Sequence, residues 1–134
     1  MKNAFGDRIA VLTGVDTLGM ESLLMGADGW VAGLVCAFPR ETVAIYRLIK
    51  ARKIQEALKI YRWFLPVLEL DVSTKLVQNI KLAETLTGLG NENVRAPRLP
   101  LVGAERDRIL NILNSALANR PELPEYLNLL ESKS

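Results

Sequence analysis

The chain has 134 residues, 49% apolar and 24% charged, with a formal net charge of +2; that is enough for one globular domain or a piece of one, and too even in charge for a nucleic-acid binder. It has no histidine and one cysteine, which removes the commonest general base and nitrogen ligand and excludes a zinc site or a disulfide framework. No apolar run approaches the roughly 20 residues of a membrane span, and the single thiol suits a reducing cytoplasm, where the protein is expected.

The first ten residues carry Lys2, Asp7 and Arg8 and lack the apolar stretch of a signal peptide. Residues 1–5 read as the end of a helix, stopped by Gly6 and Asp7. Residues 9–13 are apolar almost throughout, as expected of a strand buried on both faces. Gly14 ends that strand, and Asp16 or Thr17 is placed to cap a helix running to about Met25 and closed by Gly26. Residues 29–33 form a second strand. The crossover between the two is long enough for a parallel, right-handed connection. No other good strand candidate follows.

From Pro39 the pattern becomes helical. Pro39 suits a first turn, with Glu41 just inside it, and the helix carries Val43, Ile45, Tyr46, Leu48 and Ile49. A second helix is predicted over 53–70. It has one stripe of Ile54, Ala57, Leu58, Tyr61, Phe64, Leu65 and Leu68 and another of Ile60, Trp63, Val67 and Leu70. So wide an apolar arc implies burial on two sides, and Pro66 predicts a kink. A third helix spans about 73–87 and ends at Gly88 or Gly90; "NENVRAPRLPLVG" is a loop; a last helix over 104–119 buries Ile109, Ile112, Leu113, Ala116 and Leu117. Pro121 ends it. Residues 121–134 are expected to hold one helical turn and otherwise to be mobile. The organisation is therefore a βαβ portion over 1–38, helices over 39–120, and a tail.

Three segments carry a family resemblance. "TGVD" (13–16) matches a glycine-then-acid turn after a barrel strand; "GADGWVAGL" (26–34) matches the next strand and its approach; "VRAPRLPL" (94–101), preceded by "LVQNIKLAETLTG", matches a crossing between terminal helices. In this order and spacing the chain resembles the C-terminal half of the dihydrodipicolinate synthase / N-acetylneuraminate lyase family. "EALKIYRWFLPVLELD" is similar to a branch that deaminates a pyrroline-hydroxycarboxylate. The resemblance implies an α/β fold: the C-terminal part of a (β/α)8 barrel, strands seven and eight, then a helical bundle. It also implies that the family's Schiff-base lysine, on strand six, and its proton-relay tyrosine, on an earlier strand, lie outside these residues.

On that basis four residues are candidates for contact with substrate. Gly14 and Asp16 follow a strand C-terminus, where barrel active sites sit; the competing reading makes Gly14 a turn and Asp16 a helix cap. Val31 and Gly33 lie in the next strand, where relatives turn a backbone carbonyl and a small residue toward the Schiff base; Gly33 could equally serve tight packing. Thr17 stands where sialic-acid lyases carry a second acid, which argues against that substrate. No residue here is expected to be catalytic, no metal site is expected, and no cofactor is implied. Cys36, without a histidine to activate it, reads as a small buried filler. Lys50, Lys53, Lys59, Lys75 and Lys81 read as solvated rather than as replacement imine lysines. Arg95, Arg98, Arg106 and Arg108, interspersed with acids, read as a solvated rim.

Two parallel strands alone are marginal in water, and both their edges are open. A homo-oligomer is therefore expected, with no nucleic-acid or membrane partner. A keto acid such as pyruvate would bind only if a first-half barrel completed the fold. The two function classes are a part of a keto-acid lyase or synthase, inactive alone, and a non-catalytic, self-associating helical module or relic half-barrel. A nucleotide-binding βαβ is disfavoured, because "TGVDTLG" lacks the glycine spacing that a pyrophosphate needs.

Overall fold

A computed structural model describes residues 1–124, so most of the expected tail lies outside the described residues. The chain opens with a short helix α1 (Lys2–Phe5) and a helical turn at Gly6–Arg8. Strand β1 (Leu12–Thr13), helix α2 (Gly19–Leu24) and strand β2 (Gly29–Trp30) follow as a βαβ unit. The strands are parallel, with Leu12 opposite Gly29 and Thr13 opposite Trp30. Four longer helices complete the fold: α3 (Pro39–Lys50), α4 (Ile54–Leu68), α5 (Leu76–Thr87) and α6 (Gly103–Ala118).

The strands are shorter than the five-residue runs predict. Among the described residues each has only the other to pair with, and the flanking backbone is drawn into other bonds. The Asp28 amide still reaches the Val11 carbonyl at 2.8 Å and the Val31 amide the Thr13 carbonyl at 2.8 Å. Before β1, the Val11 amide donates to the Asp28 carboxylate at 2.7 Å. Lys2 bonds the same carboxylate at 3.1 Å, and together these contacts hold Asp28 below the usual carboxylate range. Burial on both faces is not reached either: Leu12 is 60% and Val31 64% exposed.

Helix α2 begins differently from expectation. No side chain caps it; residues Asp16–Leu18 make a tight 3₁₀ turn first, and the Asp16 carboxylate is used elsewhere. Gly26, at φ 98°, makes the left-handed turn that ends this segment. Pro39 occupies the first turn of α3 as predicted, and Glu41 follows in that turn. Helix α4 ends at Leu68 rather than Leu70, with Glu69–Asp71 tightening into a 3₁₀ turn. Pro66 lies inside α4 and cannot donate to the carbonyl one turn back. Helix α5 starts at Leu76, because Ser73 Oγ takes the Lys75 amide at 3.0 Å in a local turn. It closes on Gly88 at φ 75°.

The wide apolar arc of α4 is covered on two sides, by α3 and by α6. Phe38, Ile45, Leu48, Phe64, Leu68, Leu82 and Leu113 are enclosed in one core. That core runs through the boundary at residue 38, so the βαβ portion and the helices share it. Phe38 meets Phe64 edge-on with centroids 5.2 Å apart, and Trp63 stacks on Phe64 at 5.4 Å. Trp63 Nε1 donates to the Ala116 carbonyl at 3.0 Å, tying α4 to α6.

Candidate functional site

The four candidates gather at the C-terminal end of the strand pair but divide into two kinds. Gly14 and Val31 stand open: Gly14 is exposed with free space where a side chain would project, and Val31 is largely exposed. Asp16 and Gly33 are built into the framework.

Asp16 is fully buried, at 0% exposure. Its Oδ1 accepts from Trp30 Nε1 at 3.1 Å and from the Gly33 amide at 3.1 Å, and its Oδ2 accepts from the Leu34 amide at 2.8 Å. The carboxylate thus holds the turn after β2 and caps the short helical turn Leu34–Cys36 rather than its own helix. This corrects the helix-cap expectation for Asp16. A local reading fails here because the partners lie 14 to 18 residues further along the chain. Tyr61, from α4, donates to the Asp16 carbonyl at 3.2 Å and approaches Glu21 Oε2 at 3.3 Å. Burial, and then the Glu21 charge, push its phenol well above the usual tyrosine range, so the ring stays a neutral donor.

Gly33 answers a different neighbour. A Cβ placed on it would fall 2.3 Å from Asp71 Oδ1 and 3.1 Å from Asp71 Cγ. The space that Gly33 leaves is filled by the Asp71 carboxylate, delivered by the 3₁₀ turn after α4. Partial burial, and then the charge of Asp16, hold Asp71 above the usual carboxylate range. Neither Tyr61 nor Asp71 was legible as a site residue: Tyr61 reads as one position of an apolar stripe, and Asp71 falls between the helices predicted over 53–70 and 73–87.

Cys36 is exposed, which corrects the buried-filler reading. Lys75 pairs with Glu105, Lys81 lies 3.8 Å from Glu84, and Lys50 donates to the Ala27 carbonyl at 3.1 Å. Arg106 grips Glu92 with two bonds, at 3.0 and 3.2 Å. Neither strand carries a lysine. Among the described residues no helix is long and apolar enough to cross a membrane.

A parallel βα pair with its loops gathered beyond the strand C-termini and a helical bundle appended is the C-terminal part of a (β/α)8 barrel. The family model described as "Dihydrodipicolinate synthetase family" matches residues 1–116, and the chain belongs to that family. It is 32% identical over 125 residues to the 4-hydroxy-tetrahydrodipicolinate synthase of Thermomicrobium roseum, covering 92% of this chain and 40% of that protein. Among solved structures it resembles a 2-keto-3-deoxygluconate aldolase variant from Sulfolobus solfataricus (TM-score 0.70, 30% identity, 88% of this chain and 40% of that one). It also resembles the chloride-inhibited dihydrodipicolinate synthase of Acinetobacter baumannii complexed with pyruvate (TM-score 0.77, 23% identity, 86% and 40%). The chain spans about 40% of the length of these relatives.

Proposed function

We propose that this chain is the strand-seven and strand-eight sector of a keto-acid lyase or synthase that works through a lysine imine, and that the imine lysine comes from outside these 134 residues. The observation that carries this reading is the match over residues 1–116 to a family whose members are more than twice as long, together with a strand pair that, among the described residues, is open on both edges. In the completed barrel Gly14 and Val31 bring bare backbone and a small apolar side chain to the pocket wall. Asp16 positions both loops by fixing the Gly33 and Leu34 amides. A keto acid such as pyruvate is the ligand expected there, and the chain alone is inactive.

The chemistry is tested by trapping. A lysine amine adds to the ketone carbon and expels its oxygen as water; borohydride then reduces the C=N bond to a stable secondary amine. Two samples are compared by intact mass after treatment with pyruvate and borohydride. One is the chain alone. The other is the chain joined behind the part of the Thermomicrobium roseum relative that it does not cover. The expected result is no adduct on the first and a stoichiometric adduct on the second. An adduct on the isolated chain would overturn the placement of the lysine, and none on the joined protein would overturn the function.

A further inference from the structure

A hollow of about 450 Å³ lies where the start of α3, the end of α5 and the segment after α6 meet. None of Gly14, Asp16, Val31 and Gly33 lines it. Its charged lining is Arg40, Glu41, Arg120 and Glu122, so it is neutral as a whole yet divided in charge. Leu89 and Leu123 add an apolar wall.

One atom in that lining lacks what its burial requires. Glu41 is 2% exposed, and its Oε2 is shut off from water with no hydrogen-bond donor among the described residues. A buried acceptor left unmet carries a desolvation cost that no bond repays. Arg120 does not meet it: Nε bonds Oε1, and no other Arg120 nitrogen has a hydrogen-bond partner among the described residues. Arg40 is exposed and makes no hydrogen bond or ion pair among the described residues. The hollow thus brings together an acceptor in want of a donor and guanidinium donors in want of an acceptor. The last torsion of a glutamate is soft, so the carboxylate can turn Oε2 toward the hollow at little cost.

We propose that this hollow binds a free amino acid with an apolar side chain: its ammonium group bonds Glu41, its carboxylate bonds Arg120 and Arg40, and its side chain packs on Leu89 and Leu123. A zwitterion leaves a neutral site neutral. A lone cation there would meet two guanidinium groups, and a lone anion would meet Glu41 and Glu122. The volume falls in the lower part of the range of ordinary ligand sites, which suits a molecule of this size. The inference stands on the geometry of the helices and does not need the keto-acid reading.

The test titrates the full chain with leucine and follows both heat and backbone amide shifts. Two truncated analogues are run beside it: 3-methylbutylamine, which lacks the carboxylate, and 4-methylpentanoate, which lacks the ammonium group. The expected result is saturable binding of leucine at a single site, with shifts centred on Arg40, Glu41 and Leu89. Both analogues should bind about tenfold or more weakly, as loss of a hydrogen bond between charged groups implies. Glu41→Gln should remove the advantage of leucine over 4-methylpentanoate; a merely structural effect would weaken both and keep the gap, which would overturn the role of Glu41. The analogue series needs no substitution, so it decides the matter even where Glu41→Gln unfolds the chain. No binding of leucine, shifts centred elsewhere, or an analogue that binds as tightly as leucine would each overturn the proposal.

Discussion

Glycine 33 and Asp71 form a pair that can be tested by exchange. A methyl group at residue 33 would collide with Asp71 Oδ1 and also approach Ile80 Cδ1 to 3.2 Å. Gly33→Ala is expected to cost about 1–3 kcal/mol, the usual range for overpacking. Removing the obstructing carboxylate with Asp71→Ala should recover much of that loss. Urea unfolding of the two single variants and the double variant gives the coupling directly; additive effects would contradict the contact. Asp71 also carries a pH signature. Its folded-state pKa is raised by burial and by Asp16, so the folded chain binds its proton more tightly than the unfolded chain. Stability from this group is thus complete below the unfolded value and declines as pH rises through the folded one. Asp71→Asn removes that decline. It should raise the melting temperature relative to the unaltered chain at pH 7 and leave it unchanged at pH 3. The gain is under about 1 kcal/mol, because a half-exposed charge is screened.

At the scale of elements, the tie between the start of α3 and the end of α6 is the most consequential polar contact. Glu41 is 2% exposed; Arg120 Nε bonds its Oε1, and its Oε2 has no partner among the described residues. The Arg120 guanidinium also lies 5.6 Å from the centre of the Phe38 ring. Arg120→Ala strands a buried carboxylate and should destabilise the chain by about 1–3 kcal/mol. Replacing both partners, with Glu41→Leu added, should restore most of the stability, since an apolar substitute leaves nothing unsatisfied. Thermal melts of the single and double variants decide this. Helices of this kind were legible from the sequence because their apolar spacing is periodic: the stripes of α4 named Phe64, Val67 and Leu68 as buried, and they are. The strands were legible in place but not in length, since the edge of a strand depends on neighbours that the described residues do not supply. The roles of Asp16, Tyr61 and Arg120 were not legible at all. Each rests on a partner 14 to 79 residues away, and no local pattern marks a carboxylate that caps a turn on another element.

At the scale of the whole molecule, the β1–β2 pair is, among the described residues, a sheet with two open edges and a hollow beside each. One hollow, of about 460 Å³, is lined by Met1, Leu12, Ser22 and Met25; the other, of about 370 Å³, by Trp30, Val31, Val43 and Tyr46. Leu12, Met25, Val31 and Val43 are all exposed in the chain as it stands. Covering each such side chain is worth up to about 1.5–3 kcal/mol, and covering the edges also satisfies unpaired backbone groups. The isolated chain is therefore expected to self-associate through these edges. Sedimentation velocity should show weight-average mass rising with concentration. Amide exchange along the outer edges of the two strands should be fast in the dilute chain and strongly slowed once the chain is joined behind the remaining part of its Thermomicrobium roseum relative. The joined protein should also lose the concentration dependence that comes from open edges. A chain that stays monomeric at every concentration, with those amides already protected, would mean that two strands suffice. The helical core would then be a self-standing module, and the keto-acid reading would lose its structural ground.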